Sequence, residues 1–214
     1  MNKSYFIIDG SRLFSSIFEI WRTKKEFDKK KLNTGIFVLS LMRKWQIYTS
    51  EVIRVIFYFK KGDNRIKTML KIPKEDDPGN KEHWLIKECG QALTSIPDEE
   101  LLKIKEKYRD HFTRSEKGLD IQLTVDTLLL VASGRANNIV FLFNDRDYVP
   151  LMEAVQSLGA NTYLTALDSE QKIQKDLFKF CDKYLTFDSE LRNLFELDIS
   201  VEKDRQKILK VEQV

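Results

Sequence analysis

Short unbroken apolar runs, each stopped by a turn-forming or acidic residue, set the pattern of this chain. Tyr5-Phe6-Ile7-Ile8 ends at Asp9-Gly10, Val52–Phe59 (VIRVIFYF) at Lys60-Lys61-Gly62-Asp63-Asn64, and Ile139–Phe143 (IVFLF) at Asn144-Asp145. Runs of this length without polar alternation predict strands buried on both faces. Asn161–Leu164 and Lys183–Phe187 are shorter strand candidates. Between the runs the spacing turns helical. Ser11 is placed to cap a helix through about Arg22, a second helix is predicted over Leu32–Tyr48, and a third over Leu119–Ala132. A fourth covers Tyr148–Leu158 with Gly159 closing it, and a fifth lies near Gln171–Phe180. The stretch 119–132 is too apolar to be expected on a surface. Residues 60 to 118 carry the weakest pattern, with a loop over Lys74–Asn80 and a helix over Asp98–Tyr108, acidic at its start and basic at its end. Strands and helices alternating in this way predict a parallel α/β sheet with helices on both faces. The last segment, 188–214, reads as a charged helical extension to a domain spanning 1–187.

Composition narrows the class. A chain of 214 residues, 42% hydrophobic and 32% charged, suits one globular domain. Lys and Arg number 36 against 33 Asp and Glu, a net +3, so any basic surface has to be local. Cys89 and Cys181 form no CxxC pair and build no disulfide framework, which suggests a reducing, cytoplasmic setting. Two histidines, His83 and His111, exclude a three-histidine zinc site. No apolar run reaches the roughly 18 residues of a membrane span, and the start MNKSYFIIDG enters a strand directly, unlike a signal peptide. Phosphate-loop, dinucleotide-loop, HExxH and GxSxG signatures are all absent.

In open parallel sheets, ligands bind outside the carboxyl ends of the strands. Two predicted strands end there in acids: Asp9 follows YFII, and Asp145 with Asp147 follows IVFLF. Asp120 begins the helix at 119, and Asp126 lies inside it among Val125, Leu128 and Leu129, where it needs a partner. Each aspartate alone is as well explained by helix capping or turn formation. Their convergence on one sheet edge is another matter, because two carboxylates about 4 Å apart repel by about 4 kcal/mol at an effective dielectric of about 20. A cation relieves that repulsion, and all-oxygen donors favour Mg²⁺ or Mn²⁺. Arg12, Lys60, Lys61, Lys117 and Arg146 supply positive charge near the same edge, although solvated surface charge is the simplest use of each.

The ordered motifs IDGSRL (Ile8–Leu13), EKGLDIQLTVD (Glu116–Asp126) and NDRDYVPLMEAVQSLG (Asn144–Gly159) resemble those of the NYN domain, a PIN-like nuclease group that includes LabA-like bacterial proteins. The bacterial forms are IDGxNL, KGVDVxLxxD and SGDSDFxPLxxxxxxxG. DLFKFCDKYLTF (Asp176–Phe187) is similar to the family's closing segment, so the resemblance spans Tyr5 to about Phe187, with Lys60–Ser115 unmatched in detail. It implies a PIN-like three-layer α/β/α sandwich around a mostly parallel sheet. It also implies an acidic pocket in which Asp9, Asp120, Asp145 and Asp147 are catalytic, and a divalent ion is held by Asp9, Asp120, Asp145 and Asp126. Lys117 matches the lysine before the KGVD aspartate, and with Arg12, Arg146, Lys60 and Lys61 it is expected to bind substrate. Arg12 departs from the asparagine of IDGxNL, and Phe143-Asn144 from the Ser-Gly of SGD.

The activity so implied is Mg²⁺- or Mn²⁺-dependent hydrolysis of single-stranded or looped RNA, leaving 5′-phosphate and 3′-hydroxyl ends. Arg12 and Phe143 favour the alternative, a domain that binds RNA or a protein partner without cutting. An aspartate-based phosphatase or receiver domain fits less well, because no phospho-acceptor arrangement follows either strand. Phe14, Phe18 and Trp21 on the first helix offer either core packing or a homodimer interface.

Overall fold

The computed structural model describes residues 2–46, 51–72, 84–89 and 118–195. Lys74–Asn80, Asp98–Tyr108, both histidines and Lys117 lie outside these residues. Strands β1 (Lys3–Asp9), β3 (Glu51–Lys60), β5 (Trp84–Cys89), β6 (Asn138–Leu142), β7 (Asn161–Ala166) and β8 (Lys183–Thr186) form one sheet in the order β5-β3-β1-β6-β7-β8. Every pairing in it is parallel. Two short strands, β2 (Leu32–Asn33) and β4 (Leu70–Lys71), pair separately.

The apolar runs are continuous because both faces are covered. Phe6 and Ile8, Val55, Phe57 and Phe59, and Val140 and Leu142 enter one core, with Leu13, Phe14, Ile17 and Ile20 of helix α1 (Gly10–Thr23) and Phe37, Leu41 and Trp45 of α2 (Thr34–Gln46). The alternate residues Ile7, Ile56 and Tyr58, and Ile139, Phe141 and Phe143 enter the other, against α4 (Leu119–Ala132) and α5 (Val149–Ser157). Between α2 and α4 stands the short helix α3 (Arg65–Met69). The result is the three-layer α/β/α sandwich.

Several local readings change. Ser11 does not cap α1; the Asp9 carboxylate does, accepting from the Ser11 N–H at 2.8 Å and the Arg12 N–H at 3.3 Å. Leu32 and Asn33 pair with β4 instead of opening α2. Strand β5 falls inside the weakly patterned stretch, its KE pair hiding the apolar run. The segment 171–180 holds only a 3₁₀ turn over Lys175–Phe180, and Tyr148 belongs to a 3₁₀ turn ahead of α5.

Helix α4 is not enclosed: Ile121 and Leu129 are 67% and 62% exposed, on the face opposite Leu123, Thr127 and Val131. The aromatic stripe of α1 is divided, with Phe14 buried, Trp21 donating to the Lys30 carbonyl at 2.8 Å, and Phe18 exposed. The packed core continues past position 187, through Leu191, Leu194 and Phe195 of the short helix α6 (Leu191–Leu194) and the residue after it. The Phe195 ring lies 5.2 Å from that of Phe27. Both cysteines are free. Among the described residues, no helix is long and apolar enough to cross a membrane.

Candidate active site

Strand order reverses at β1: later strands β3 and β5 build outward on one side, β6, β7 and β8 on the other. The carboxyl ends of β1 and β6 therefore flank the crevice where such sheets bind ligands. Asp9 ends β1 and is 7% exposed. Its place depends on Gly10, where a Cβ would stand 2.2 Å from the Phe59 ring and 2.5 Å from the Tyr58 carbonyl oxygen. No side chain fits there, so the chain turns into α1 tightly enough for Asp9 to cap it.

Tyr148 connects Asp9 to a second acid. Its hydroxyl donates to Asp120 Oδ1 at 2.6 Å and lies 3.3 Å from Asp9 Oδ2. Asp120 is exposed, in the first turn of α4. Asp145 and Asp147 are exposed just beyond β6, and Asp145 caps the turn by accepting from the Asp147 N–H at 3.0 Å. None of Asp120, Asp145 or Asp147 forms a salt bridge with another described residue. Among the described residues no three acidic, histidine or cysteine side chains stand close enough together to hold an ion.

Asp126, expected beside them, is placed in a separate cluster. Its carboxylate accepts from Lys87 at 2.7 Å, from Gln122 at 2.9 Å and from the Tyr58 hydroxyl at 3.1 Å. Burial and the Asp126 charge hold that tyrosine well above its usual pKa. The aspartate inside an apolar helix has thus found its partner on the edge strand β5.

The basic residues differ in setting. Lys60 and Lys61 follow the part of β3 that pairs with the end of β1, and Arg146 is exposed between Asp145 and Asp147. Arg12 is half-buried, and its Nη2 is buried without a hydrogen-bond partner among the described residues. Burial lowers its pKa against the opposing pull of Glu19, Tyr184 and Asp9. An orphaned guanidinium N–H inside a protein is costly.

Two features escape a reading of the sequence alone. Asn144 ties the loop after β7 to the end of β6, donating to the Lys172 carbonyl at 2.8 Å and accepting from the Gln174 N–H at 2.7 Å. Phe143, buried, stacks on the Tyr148 ring at 4.3 Å and 18°.

The family model of the NYN domain matches residues 40–191. The chain belongs to the NYN domain family. The matched stretch contains Asp120, Asp145 and Asp147 and begins after Asp9, which joins the site through the β1 position in the sheet and through Tyr148. Among solved structures, this NYN domain is similar to a crystal structure of a protein of unknown function from Vibrio parahaemolyticus. Identity is 11%, the TM-score is 0.51, and 88% of this chain and 94% of that one are covered, so the likeness concerns the fold. No curated protein matches the chain.

Proposed function

We propose that this NYN domain is a divalent-metal-dependent ribonuclease that hydrolyses RNA phosphodiesters to 5′-phosphate and 3′-hydroxyl ends. The observation that carries the reading is the convergence of Asp9 and Asp120, from elements far apart in sequence, on one hydroxyl at the strand-order reversal. The donors fit a hard cation. Mg²⁺ is usually held by only one or two carboxylates, with water and substrate phosphate completing its shell, so two converging acids suffice. Asp9 and Asp120 would hold the ion, and Asp145 and Asp147 would act on it through water. When bound, the ion supplies an activated water and charge neutralisation at the departing oxygen.

The remaining roles belong to the chain. The half-buried Arg12 guanidinium supplies positive charge beside Asp9 for a phosphate oxygen. Lys60, Lys61 and Arg146 draw the backbone of the RNA to the sheet edge, and Lys117, three residues before Asp120 in sequence, joins them. A groove at a sheet edge takes a flexible single strand more readily than a duplex.

The test is cleavage of generic single-stranded RNA with Mn²⁺ or Mg²⁺, by the wild type and by Asp145→Asn. We expect cleavage that EDTA abolishes, and a variant that binds RNA, cuts poorly and gains less thermal stability from Mn²⁺. Salt-sensitive RNA binding with no cleavage under any metal would replace this reading with a binding domain, the role that an arginine at position 12 would also serve.

A further inference from the structure

Phe143 and Tyr148 stand on either side of Asp145 in sequence, and both rings are buried. The Tyr148 ring carries a hydroxyl to the site. That hydroxyl is what joins Asp120 to Asp9. We infer that Tyr148 is a positioning residue of the metal site, holding the exposed Asp120 carboxylate toward Asp9 so that the pair is arranged before a divalent cation arrives.

Tyr148 is 3% exposed and stacked on Phe143, which itself lies 4.6 Å from the Phe141 ring, so the hydroxyl is held from below by a buried aromatic column. Asp9 is fixed independently, by capping α1 with Oδ1. Asp120 has no such anchor: it is a surface residue in a first helical turn, and its only hydrogen bond from a described side chain comes from Tyr148. Without that bond, a cation would have to order the carboxylate itself, against side-chain entropy.

The hydroxyl brings a single proton to two acceptors, and the 2.6 Å contact gives it to Asp120. Each ionised carboxylate has about four lone-pair positions. Tyr148 therefore takes one on Asp120 and leaves the others open to an ion and its waters. A neutral donor between two acids also eases their repulsion while no cation is present. Carboxylates that ligate metals are commonly oriented by such outer donors, whose loss costs about 10–100-fold in metal affinity.

This inference rests on the proposed metal site at Asp9 and Asp120. The experiment is Mn²⁺ binding by calorimetry and electron paramagnetic resonance for the wild type, Asp9→Asn and Tyr148→Phe, with thermal melts of each without metal. Tyr148→Phe keeps the ring, its stacking and its volume. We expect it to bind Mn²⁺ about 10–100-fold more weakly than wild type, with cleavage restored toward wild type at saturating Mn²⁺. Weaker melting with unchanged Mn²⁺ affinity would make Tyr148 merely structural, and tighter binding would make its hydroxyl a competitor of the ion; either overturns the inference and leaves the metal site standing. A wild type that does not bind Mn²⁺, or an Asp9→Asn that binds it equally well, overturns the metal site and the inference with it.

Discussion

Lys87 Nζ meets the Asp126 carboxylate at 2.7 Å, linking edge strand β5 to the helix that begins beside Asp120. The pair is half-buried, with 35% of the lysine and 15% of the aspartate side chain exposed. A carboxylate already neutralised by lysine has little reason to recruit a second cation. Asp126 therefore secures α4 against the sheet and, through α4, the position of Asp120.

Asp126→Asn should destabilise the fold by about 1–2 kcal/mol, between the values for exposed and fully buried pairs, because Lys87 loses its counter-charge. Its thermal stabilisation by Mn²⁺ should match the wild type. Comparing melts with and without Mn²⁺ checks both parts, and a lost Mn²⁺ response would move Asp126 into the ligand set.

Gly10→Ala should be among the more damaging single-methyl changes in the chain. The new carbon would stand 2.5 Å from the Tyr58 carbonyl oxygen, which is backbone and cannot rotate aside. Overpacking of this kind costs about 1–3 kcal/mol, or a fall of several degrees in Tm for a chain of this size at about 2–4 °C per kcal/mol. Chemical denaturation measures it, and a neutral Gly10→Ala would show that the start of α1 can shift away from β3.

Arg12→Met should have opposite effects on folding and on RNA. It removes a charge held down by burial with an orphaned Nη2, so stability without RNA should hold or rise. RNA affinity should fall, and the dependence of log K on log salt should become shallower by about 0.7, the share of one phosphate contact in a single strand. Binding titrations at several salt concentrations supply both values. An unchanged slope would remove Arg12 from the RNA contact.

Acid should weaken the end of the domain through Asp188. Partial burial raises the Asp188 pKa, but hydrogen bonds from Thr186 and Ser169 outweigh it and hold the carboxyl well below its usual value. A folded-state pKa below the unfolded one stabilises fully above the unfolded value, about 3.9, and this contribution fades as pH falls below it. The stability difference between wild type and Asp188→Asn should be present at pH 7 and shrink toward pH 3, as urea melts at the two values would show. A constant difference would assign the effect to shape instead of charge.

Much of this molecule is legible in its residues alone. Unbroken apolar runs such as YFII and IVFLF can be satisfied only by strands covered on both faces, and Phe6 and Ile7 do enter opposite cores. Acids immediately after those runs must lie at the carboxyl edge, because a strand's end and its direction are local properties. The NYN motifs carry the family for the same reason: they are short, ordered segments whose spacing survives in one dimension.

What the sequence could not decide was which charges meet. Asp120 and Asp126 share one helix, yet a turn and a half apart they face different neighbours. Lys87, Gln122 and Tyr58 neutralise or hydrogen-bond Asp126, while a tyrosine from beyond β6 reaches Asp120. Strand β5 was illegible because Lys87, which interrupts its apolar run, is paired across the fold instead of along the chain. The cap of α1 passes from Ser11 to Asp9 for a similar reason: the tight turn at Gly10, set by Phe59 and Tyr58 on another strand, decides which side chain reaches the free N–H groups. Apolar periodicity is a property of neighbours in sequence, but a hydrogen bond depends on angles and distances that only the assembled sheet supplies.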